Sequence, residues 1–200
     1  MLVGMRPTLH QIRDALSVND PDPTIPPGRH AAVAVVLTGD LRLLFMRRAE
    51  HPGDPWSGHV AFPGGHSEPA DRTSLETAIR ETREELGLDL SRADVLGTLA
   101  DVCTAPHLPP LTVRPWVFHV PVLPVVRPNH EVASVHLVAL DALLRGEGRA
   151  CFDRDWKGRR VTLPCVEFDG VRLWGMTLGM VDDLLHRLDG RGVGLKRTVR

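Results

Sequence analysis

The sequence is poor in lysine, in cysteine and in uninterrupted apolar runs, and each shortage narrows what the protein can be. Lys157 and Lys196 are its only lysines, and a formal net charge of −1 gives no basic field for nucleic acid or an anionic membrane. Cys103, Cys151 and Cys165 are too few and too scattered for a disulfide framework, which favours a reducing, cytoplasmic location. No apolar run approaches the length of a membrane span, and the first residues do not form a convincing signal peptide.

Length and composition favour one soluble globular domain. The chain has 200 residues, of which 42% are hydrophobic and 24% charged, so it can bury a full core. We expect a single domain over 1–200, with an N-terminal helix and linker in 1–28 and a flexible tail at 190–200. Cys103 and His107 have the spacing of a zinc-ligand pair, but no second pair completes such a site.

Apolar runs separated by glycine and proline predict a mixed sheet held between helices, which is an α+β fold. Helices are expected after Thr8, after Thr73, at 141–144 and at 177–188. Residues 145–157 are expected to be irregular. The predicted strands are 31–38, 41–46, 59–62, 94–102, 111–122, 132–139 and 161–168.

The stretch from Gly64 to Leu88 begins as a glycine loop and continues as a helix. Thr73, followed three residues later by Glu76, predicts a capping box at the start of the helix, and Gly87 suits the left-handed residue that ends it. One face of this helix is apolar and is expected to pack on a core. That face carries Leu75, Ala78, Ile79, Thr82 and Leu86.

Three glutamates, Glu81, Glu84 and Glu85, project together from the side of the helix opposite the apolar face. Like charges one turn apart destabilise a helix, so their clustering needs a reason. Either the face is a solvated surface, or the carboxylates hold a divalent cation that also binds substrate phosphate. Arg80, one turn before Glu84, can pair with that carboxylate and hold its direction. Helical geometry alone leaves both interpretations open.

This stretch resembles the Nudix box, G-x5-E-x7-R-E-U-x-E-E-x-G-U, the signature of hydrolases that cut a diphosphate linked to another group. Residues 80–88 reproduce its helical half, and Gly65 matches its opening glycine. Asp71 stands where the first glutamate is expected, the spacer to Arg80 is one residue longer than usual, and Thr82 replaces an aliphatic residue. The aspartate and the longer spacer are also similar to the coenzyme A pyrophosphatase branch of that family.

The resemblance implies an α/β/α sandwich and a pyrophosphatase that uses Mg²⁺ or Mn²⁺ as its cofactor. It also implies that Arg80 orients the glutamates of the box. By match to the motif, the implied metal ligands are Glu81, Glu84, Glu85 and the carbonyl group of Gly65.

The general base of such an enzyme has two candidates in this chain. One is a glutamate of the box, and the other is Glu131, which stands just ahead of a predicted strand. Nudix relatives often place a catalytic or metal-binding glutamate in that later loop. Glu68 and Asp71, in the loop before the helix, can reach an outer metal ion, although a solvated loop suits them better.

Segments outside the box are also similar to the coenzyme A branch, over about residues 29–188. Residues 44–65 resemble its signature L-L-T-x-R-[SA]-x3-R-x3-G-x3-F-P-G-G, with Met46 in place of the threonine. The second arginine of the signature is missing, because its position falls on Gly53 or Asp54, depending on the end from which one counts. Coenzyme A carries a 3′-phosphate besides its diphosphate, so another basic group must contact it.

Four side chains near this signature are candidate substrate contacts. Arg48 is the first choice for a phosphate contact, and its alternative is a surface arginine at a strand end; Arg47 and His51 are further candidates. Trp56 can stack on an adenine or simply anchor its loop. Trp174 is expected in the core.

We interpret the chain as a Nudix hydrolase that cleaves coenzyme A or its derivatives to 3′,5′-ADP and 4′-phosphopantetheine. A second interpretation is a Nudix pyrophosphatase for ADP-ribose, NADH or another nucleoside diphosphate derivative. A third, from another class, is a non-catalytic Nudix protein that binds a nucleotide and regulates a partner, although three crowded carboxylates argue against it. We expect a small-molecule substrate, no nucleic-acid or membrane partner, and a monomer or homodimer.

Overall fold

The computed structural model describes residues 7–16, 24, 29–54, 56–104, 110–156 and 158–189 of the chain. Most of the linker predicted within 1–28 and the tail predicted at 190–200 lie outside the described residues. Of the helices in the described ranges, none has both the length and the apolar character needed to cross a membrane.

The described residues form helices and strands in an α+β order. The helices are α1 (Leu9–Leu16), α2 (Ser74–Leu86), α3 (Leu140–Leu144) and α4 (Gly175–Asp189). The strands are β1 (His30–Thr38), β2 (Arg42–Arg48), β3 (Val60–Ala61), β4 (Gly64–His66), β5 (Asp94–Thr98), β6 (Val102–Cys103), β7 (Thr112–Val120), β8 (Val132–Ala139), β9 (Arg149–Trp156), β10 (Arg159–Phe168) and β11 (Val171–Trp174).

The main sheet is mixed, as predicted. Its central order is β3-β2-β1-β7-β5, with β4 paired to β1, β6 to β7 and β8 to β2. Strands β1 and β7 run parallel along their whole length, from the His30–Thr112 pair to the Thr38–Val120 pair, and the other pairs are antiparallel. The glycine loop therefore enters the sheet through β4, directly beside the central strand β1.

Helices cover both faces of this sheet, which confirms the predicted α/β/α sandwich. On one face, Ala78 and Leu86 of α2 are buried against Ala34 of β1 and Phe118 of β7. Trp116 of β7 donates its ring N–H to the hydroxyl of Ser74 in α2 (3.1 Å), which fixes the start of the helix on the sheet. The opposite face packs on α1, α3, α4 and a second sheet. Its buried residues include Ile12, Leu16, Leu140, Leu143, Val166, Leu173, Leu178 and Val181.

The second sheet is antiparallel and has the order β11-β10-β9. The prediction that residues 145–157 are irregular is wrong, because 149–156 form strand β9, and the strand Val171–Trp174 was not predicted. Strand β9 is mostly exposed, so it lacks the buried alternation that identifies a strand in a sequence. Polar cross-strand contacts hold it to β10, as where Arg160 and Thr162 both donate to Asp153 (2.8 and 2.6 Å).

One predicted strand, 94–102, is divided into β5 and β6. Its partner β7 contains Pro115, which has no N–H to give to the ladder. The chain instead continues with Leu99 donating to the Pro115 carbonyl (3.0 Å) and Ala100 donating to the Asp183 carboxylate (2.9 Å). The remaining predicted strands are confirmed with ends that shift by two residues or fewer.

Candidate active site

Helix α2 begins and ends through local hydrogen bonds. The hydroxyl of Thr73 accepts from the amide of Glu76 (3.1 Å), and Gly87 adopts a φ of 63° while its amide donates to the Arg83 carbonyl (2.9 Å). The other half of the predicted capping box is wrong. The Glu76 carboxylate accepts from the amide of Arg72 (2.8 Å), one residue before the cap. Both helix ends are therefore fixed, and so is the direction of the side chains between them.

The guanidinium group of Arg80 is shared by several acceptors where the loop meets the helix. It donates to both carboxylate oxygens of Asp71 (3.1 and 2.9 Å) and to the carbonyl of His66 (2.9 Å). Its Nη1 atom lies 3.0 Å from Glu81 Oε1 and 3.3 Å from Glu84 Oε2. The hydrogen bonds with Asp71 raise the pKa of Arg80 above its usual range. The predicted pairing of Arg80 with Glu84 is thus present, and Glu81 shares the same nitrogen.

Asp71 has a different environment from the solvated loop that the sequence suggested. Its side chain is only 5% exposed, and it accepts from Arg80, from the Thr77 hydroxyl (3.0 Å) and from the Glu68 amide (2.9 Å). Burial opposes its ionisation, but these hydrogen bonds outweigh burial and lower the pKa of Asp71. Both of its carboxylate oxygens accept hydrogen bonds, from Arg80 and from Glu68 and Thr77. Asp71 therefore positions Arg80, while Glu68, 61% exposed, remains in solvent.

Glu85 faces the interior of the protein, not the solvent, although its neighbours on the helix are polar. It is 3% exposed, and the amide of Gly64 donates to its Oε2 atom (2.8 Å). Burial raises the pKa of Glu85 to about 8 against the stabilising Gly64 amide, and the charges of Glu81 and Glu131 raise it further. A buried carboxyl group of this kind is held protonated at neutral pH unless a cation offsets its charge.

Glu81 packs directly against the glycine loop. A Cβ atom on Gly65 would lie 2.6 Å from the carboxylate carbon of Glu81, which is closer than any side chain can approach. Burial raises the pKa of Glu81, and the neighbouring Arg80 only partly offsets this effect. A side chain at position 65 would therefore displace the Glu81 carboxylate, which occupies that space.

Glu131 lies in a loop that is tied to the end of α2. Its amide donates to the Asn129 side chain (2.8 Å), and the Asn129 amide donates to the Glu85 carbonyl (2.8 Å). The carbonyl of Glu131 accepts from the Ala49 amide (2.7 Å), while its carboxylate is 54% exposed. The loop thus brings Glu131 near enough to Glu85 to affect its ionisation. Its role as a base stays a prediction.

A cleft of about 700 Å³ opens beside these glutamates. It begins at the glycine loop, where Gly64, Gly65 and His66 form part of its wall, and it runs between the two sheets to the start of α4. Most of the wall is apolar. The apolar side chains include Val33, Met46, Phe62, Val113, Val161, Leu163, Met176 and Met180.

Of the four predicted substrate contacts, two line this cleft and two do not. Arg48 and Trp56 belong to its wall, whereas Arg47 and His51 do not. Arg47 pairs with Glu50 (2.9 Å) and borders a smaller pocket beside β11. The exposed His51 side chain lies over its own loop, with Nδ1 3.2 Å from the Pro52 carbonyl.

Arg48 is already paired with a carboxylate. Its Nη2 atom donates to Asp54 Oδ2 (2.8 Å), and its Nε atom is buried with no hydrogen-bond partner among the described residues. Asp54 also accepts from the Trp56 amide (2.9 Å), so one aspartate holds both predicted substrate contacts in place. Burial opposes the ionisation of Asp54, but these hydrogen bonds lower its pKa. Asp54 is one of the two residues on which the missing arginine of the signature falls.

The cleft also contains polar and aromatic residues that no sequence motif marked as substrate contacts. His59 lies with its ring centre 4.5 Å from that of Trp174, and the guanidinium carbon of Arg154 lies 4.7 Å from the same indole ring. Trp174 is half-buried and lines the cleft, so its predicted place in the core is wrong. These three residues come from distant parts of the chain, and no local spacing connects them.

The comparison with known families identifies the box. Residues 28–156, more than half of the chain, match the model of the NUDIX domain. The chain belongs to the Nudix family. The Nudix fold accounts for the loop–helix unit, and the predicted hydrolase class is confirmed by the family match and by the names of its relatives.

Curated relatives place this Nudix protein near a coenzyme A-related branch. It is 37% identical over 166 residues to the mitochondrial coenzyme A diphosphatase NUDT8 of Homo sapiens, which covers 79% of this chain and 69% of the human protein. It is 31% identical over 179 residues to Nudix hydrolase 15, mitochondrial, of Arabidopsis thaliana, with 81% of this chain and 59% of that protein covered. The match therefore spans less than two thirds of the Arabidopsis protein.

Solved Nudix structures agree with the fold. A MutT protein from Methanosarcina mazei Go1 has a TM-score of 0.52 and 18% identity, over 80% of this chain and 92% of the other. An Ap4A hydrolase from C. elegans, in a binary complex, has a TM-score of 0.50 and 20% identity, over 59% and 85% of the two chains. At these identities the likeness concerns the fold alone.

Nudix hydrolases in general use divalent metal ions, and the donor set of this Nudix site fits one. Hard cations take carboxylate oxygens, and Glu81, Glu84 and Glu85 supply three carboxylates within one turn and a half of helix. Burial raises the pKa values of Glu81 and Glu85 because it disfavours the charged form of each carboxylate. A bound cation would offset that charge. Among the described residues, no three acidic, histidine or cysteine groups converge on one point, because Glu81 and Glu84 turn towards Arg80 while Glu85 turns towards Gly64.

Proposed function

We propose that this Nudix hydrolase cleaves the diphosphate of coenzyme A or its derivatives, releasing 3′,5′-ADP and 4′-phosphopantetheine. The observation that supports this substrate best is the apolar cleft of about 700 Å³ that begins at Gly64 and Gly65. A diphosphate held at the glutamates would have a long apolar wall beside it. Coenzyme A has the matching shape, since an uncharged pantetheine arm extends from its diphosphate.

The names of relatives support the same substrate. The human protein at 37% identity and its Mus musculus counterpart at 33% identity are both named mitochondrial coenzyme A diphosphatase. The segments that resemble the coenzyme A signature in this chain include Arg48 and Trp56, and both line the cleft.

The residues of the site have separate tasks in this proposal. Glu81, Glu84 and Glu85, with the Gly65 carbonyl, would hold Mg²⁺ or Mn²⁺, which when bound neutralises phosphate charge. Arg80 keeps Glu81 and Glu84 in place through its own bond to Asp71. A base must take a proton from the attacking water, and it must be near the reacting phosphate and ionised when it acts. Glu131, which is exposed, and the box glutamates remain the candidates for this base.

One observation favours a second candidate substrate. Asp54 pairs with Arg48 at 2.8 Å and so reduces the positive charge that Arg48 can offer to a substrate phosphate. A nucleoside diphosphate derivative without a 3′-phosphate, such as ADP-ribose or NADH, needs less positive charge in the cleft. The cytoplasmic location, the monomeric or homodimeric state and the choice between Mg²⁺ and Mn²⁺ stay predictions.

The test is a substrate panel with each metal ion, in which products are identified by mass. The panel holds coenzyme A, an acyl-coenzyme A, ADP-ribose, NADH, a diadenosine polyphosphate and 8-oxo-dGTP. We expect 3′,5′-ADP from coenzyme A as the fastest reaction, and preference for ADP-ribose or NADH would contradict the proposal. The Glu84→Gln variant should lose turnover, whereas Glu147→Gln, which changes an exposed glutamate of the α3–β9 turn, should keep it. Ligand binding without turnover in the unmutated protein would favour the non-catalytic Nudix protein.

A further inference from the structure

We infer that Arg154 binds a phosphate monoester of the substrate, separate from the diphosphate, and thereby selects 3′-phosphorylated nucleotides. The inference rests on the proposed function, because it assumes that the diphosphate lies at the glutamates of α2. Arg154 is outside the Nudix box and outside the segments that resemble the coenzyme A signature.

Arg154 carries a charge that no carboxylate of the described residues neutralises. It lies on strand β9, half-buried in the wall of the cleft, with its guanidinium carbon 4.7 Å from the Trp174 ring centre. It makes no ion pair or hydrogen bond through its side chain with a described residue, in contrast to Arg48, which Asp54 neutralises. A cation–π contact with an indole does not replace the hydrogen bonds of a guanidinium group, whose N–H groups can still bind a phosphate in bidentate fashion.

The two arginines of the cleft lie on different sheets. Arg48 belongs to β2 of the main sheet, the sheet that the glycine loop enters through β4. Arg154 belongs to β9 of the second sheet, and it contacts Trp174, whose ring also lies 4.5 Å from that of His59. Arg154 therefore lies on the side of the cleft formed by the second sheet. A phosphate bound there is a different group from the diphosphate held at the glutamates.

The chemistry of coenzyme A supplies such a group. Its 3′-phosphate is a monoester on the ribose, displaced from the diphosphate by the sugar, and it is doubly charged near neutral pH. A doubly charged group in a cleft with mostly apolar walls requires a cation. Arg154 is available for this contact, and this chain has no arginine at the second position of the coenzyme A signature.

A purely structural role is the competing explanation, in which Arg154 only packs β9 against β11. Arg172 offers a matched control on the same sheet. Its guanidinium carbon lies 4.4 Å from the Phe152 ring centre, so it makes the same kind of cation–π contact. Arg172 is paired with Glu167 (2.8 Å) and does not line the large cleft.

The experiment compares the full-length protein with its Arg154→Gln and Arg172→Gln variants on coenzyme A and 3′-dephospho-coenzyme A. The measured quantity is the ratio of kcat/KM for the two substrates. One charge-assisted contact predicts that Arg154→Gln lowers this ratio at least about tenfold. Arg172→Gln should leave the ratio unchanged. Titration calorimetry with 3′,5′-ADP and 5′-AMP, which contain no scissile nucleotide–pantetheine linkage, measures the same preference without turnover.

The outcomes separate the two claims. Turnover of coenzyme A with an unchanged ratio in Arg154→Gln would overturn the inference and leave the proposed function standing. An equal loss in both variants would assign Arg154 a structural role and also overturn it. Absence of coenzyme A turnover in the unmutated protein would overturn the proposed function. In that case the calorimetry still tests the role of Arg154. Equal affinity of the unmutated protein for 3′,5′-ADP and 5′-AMP would contradict the inference. A preference for 3′,5′-ADP that is lost in Arg154→Gln and kept in Arg172→Gln would support it.

Discussion

Arg80 determines the arrangement of the candidate site because one guanidinium group serves the loop and the helix together. Asp71 holds it from the loop with two hydrogen bonds, and Glu81 and Glu84 share its Nη1 atom from the helix. A planar donor with five N–H bonds can do this, and a lysine in its place cannot. Any change that releases Arg80 from Asp71 should therefore also release the two glutamates.

Asp71→Asn tests this dependence. The amide keeps one acceptor for Arg80 but removes the carboxylate charge and one of its two hydrogen bonds, so we expect a loss of about 1–3 kcal/mol in the free energy of unfolding. Catalytic turnover should fall by about tenfold or more, because the direction of Glu81 and Glu84 is no longer fixed. Urea unfolding and steady-state kinetics measure the two effects. Glu68→Gln removes an exposed carboxylate 3.8 Å from the same arginine, and an equal loss in that variant would refute the special role of Asp71.

The sequence predicts some of these residues better than others, and the reason is geometric. Glu81, Glu84 and Arg80 follow from helical spacing, because a period of 3.6 residues fixes which side chains are neighbours. Glu85 follows Glu84 directly, and helical periodicity does not predict that its side chain turns into the protein to accept from the Gly64 amide. The burial of Asp71 depends on how the loop folds over Thr77, which no residue spacing encodes.

The glycine loop and helix α2 function as one unit, because the carboxylates of the helix occupy the space that loop side chains would need. Gly64 has a φ of 148°, and a Cβ atom there would lie 2.3 Å from the Ala32 carbonyl oxygen. Gly65 has no such backbone requirement, and the atoms nearest to a Cβ atom there belong to the Glu81 carboxylate. The two glycines therefore have different reasons to be glycine.

Gly65→Ala isolates the steric reason. A methyl group must displace the Glu81 carboxylate, which would lie 2.6 Å away, so we expect turnover to fall at least tenfold while the protein remains folded. Circular dichroism and kinetics measure fold and turnover. Gly179→Ala in α4 is the control, since its Cβ atom meets nothing within 4 Å, and it should stabilise the protein by about 0.5–1 kcal/mol with normal turnover. Full activity of Gly65→Ala would show that Glu81 has another position that still supports catalysis.

Strand β9 shows what element prediction from a sequence leaves out. Its exposed residues resemble a loop in composition, and the strand exists because β10 supplies a partner along its whole length. Arg154 on this strand meets Trp174 twenty residues later, across β10, through pairing that the sequence does not specify. The strands of the main sheet were predictable because one or both of their faces are buried.

The molecule as a whole places a carboxyl group in its interior at a cost to its own stability. Glu85 is 3% exposed, its carboxylate accepts from the glycine loop, and its backbone carbonyl accepts from Asn129 in the segment that precedes Glu131. Burial raises the pKa of Glu85 to about 8 in the folded protein, whereas in an unfolded chain it has its ordinary value of about 4.5. Between these values the folded protein holds a proton that the unfolded chain has released. The contribution of Glu85 to stability is therefore complete below about pH 4.5 and is lost as the pH rises through about 8.

Glu85→Gln should remove this pH dependence, because the amide is neutral at every pH and can still accept from Gly64. We expect the metal-free variant to match the unmutated protein near pH 5 and to exceed it by about 2–4 kcal/mol in the free energy of unfolding above pH 8. Urea unfolding with a chelator present, from pH 5 to pH 9, measures the difference.

The control is Glu84→Gln, which removes a half-exposed carboxylate of the same helix and should leave the pH dependence of the unfolding free energy unchanged. Added Mg²⁺ or Mn²⁺ should restore stability at high pH in the unmutated protein, because a bound cation offsets the charge that burial disfavours. The difference in unfolding free energy between Glu85→Gln and the unmutated protein could instead be the same at every pH. Glu85 would then ionise as easily in the folded protein as in the unfolded chain, which would contradict this prediction.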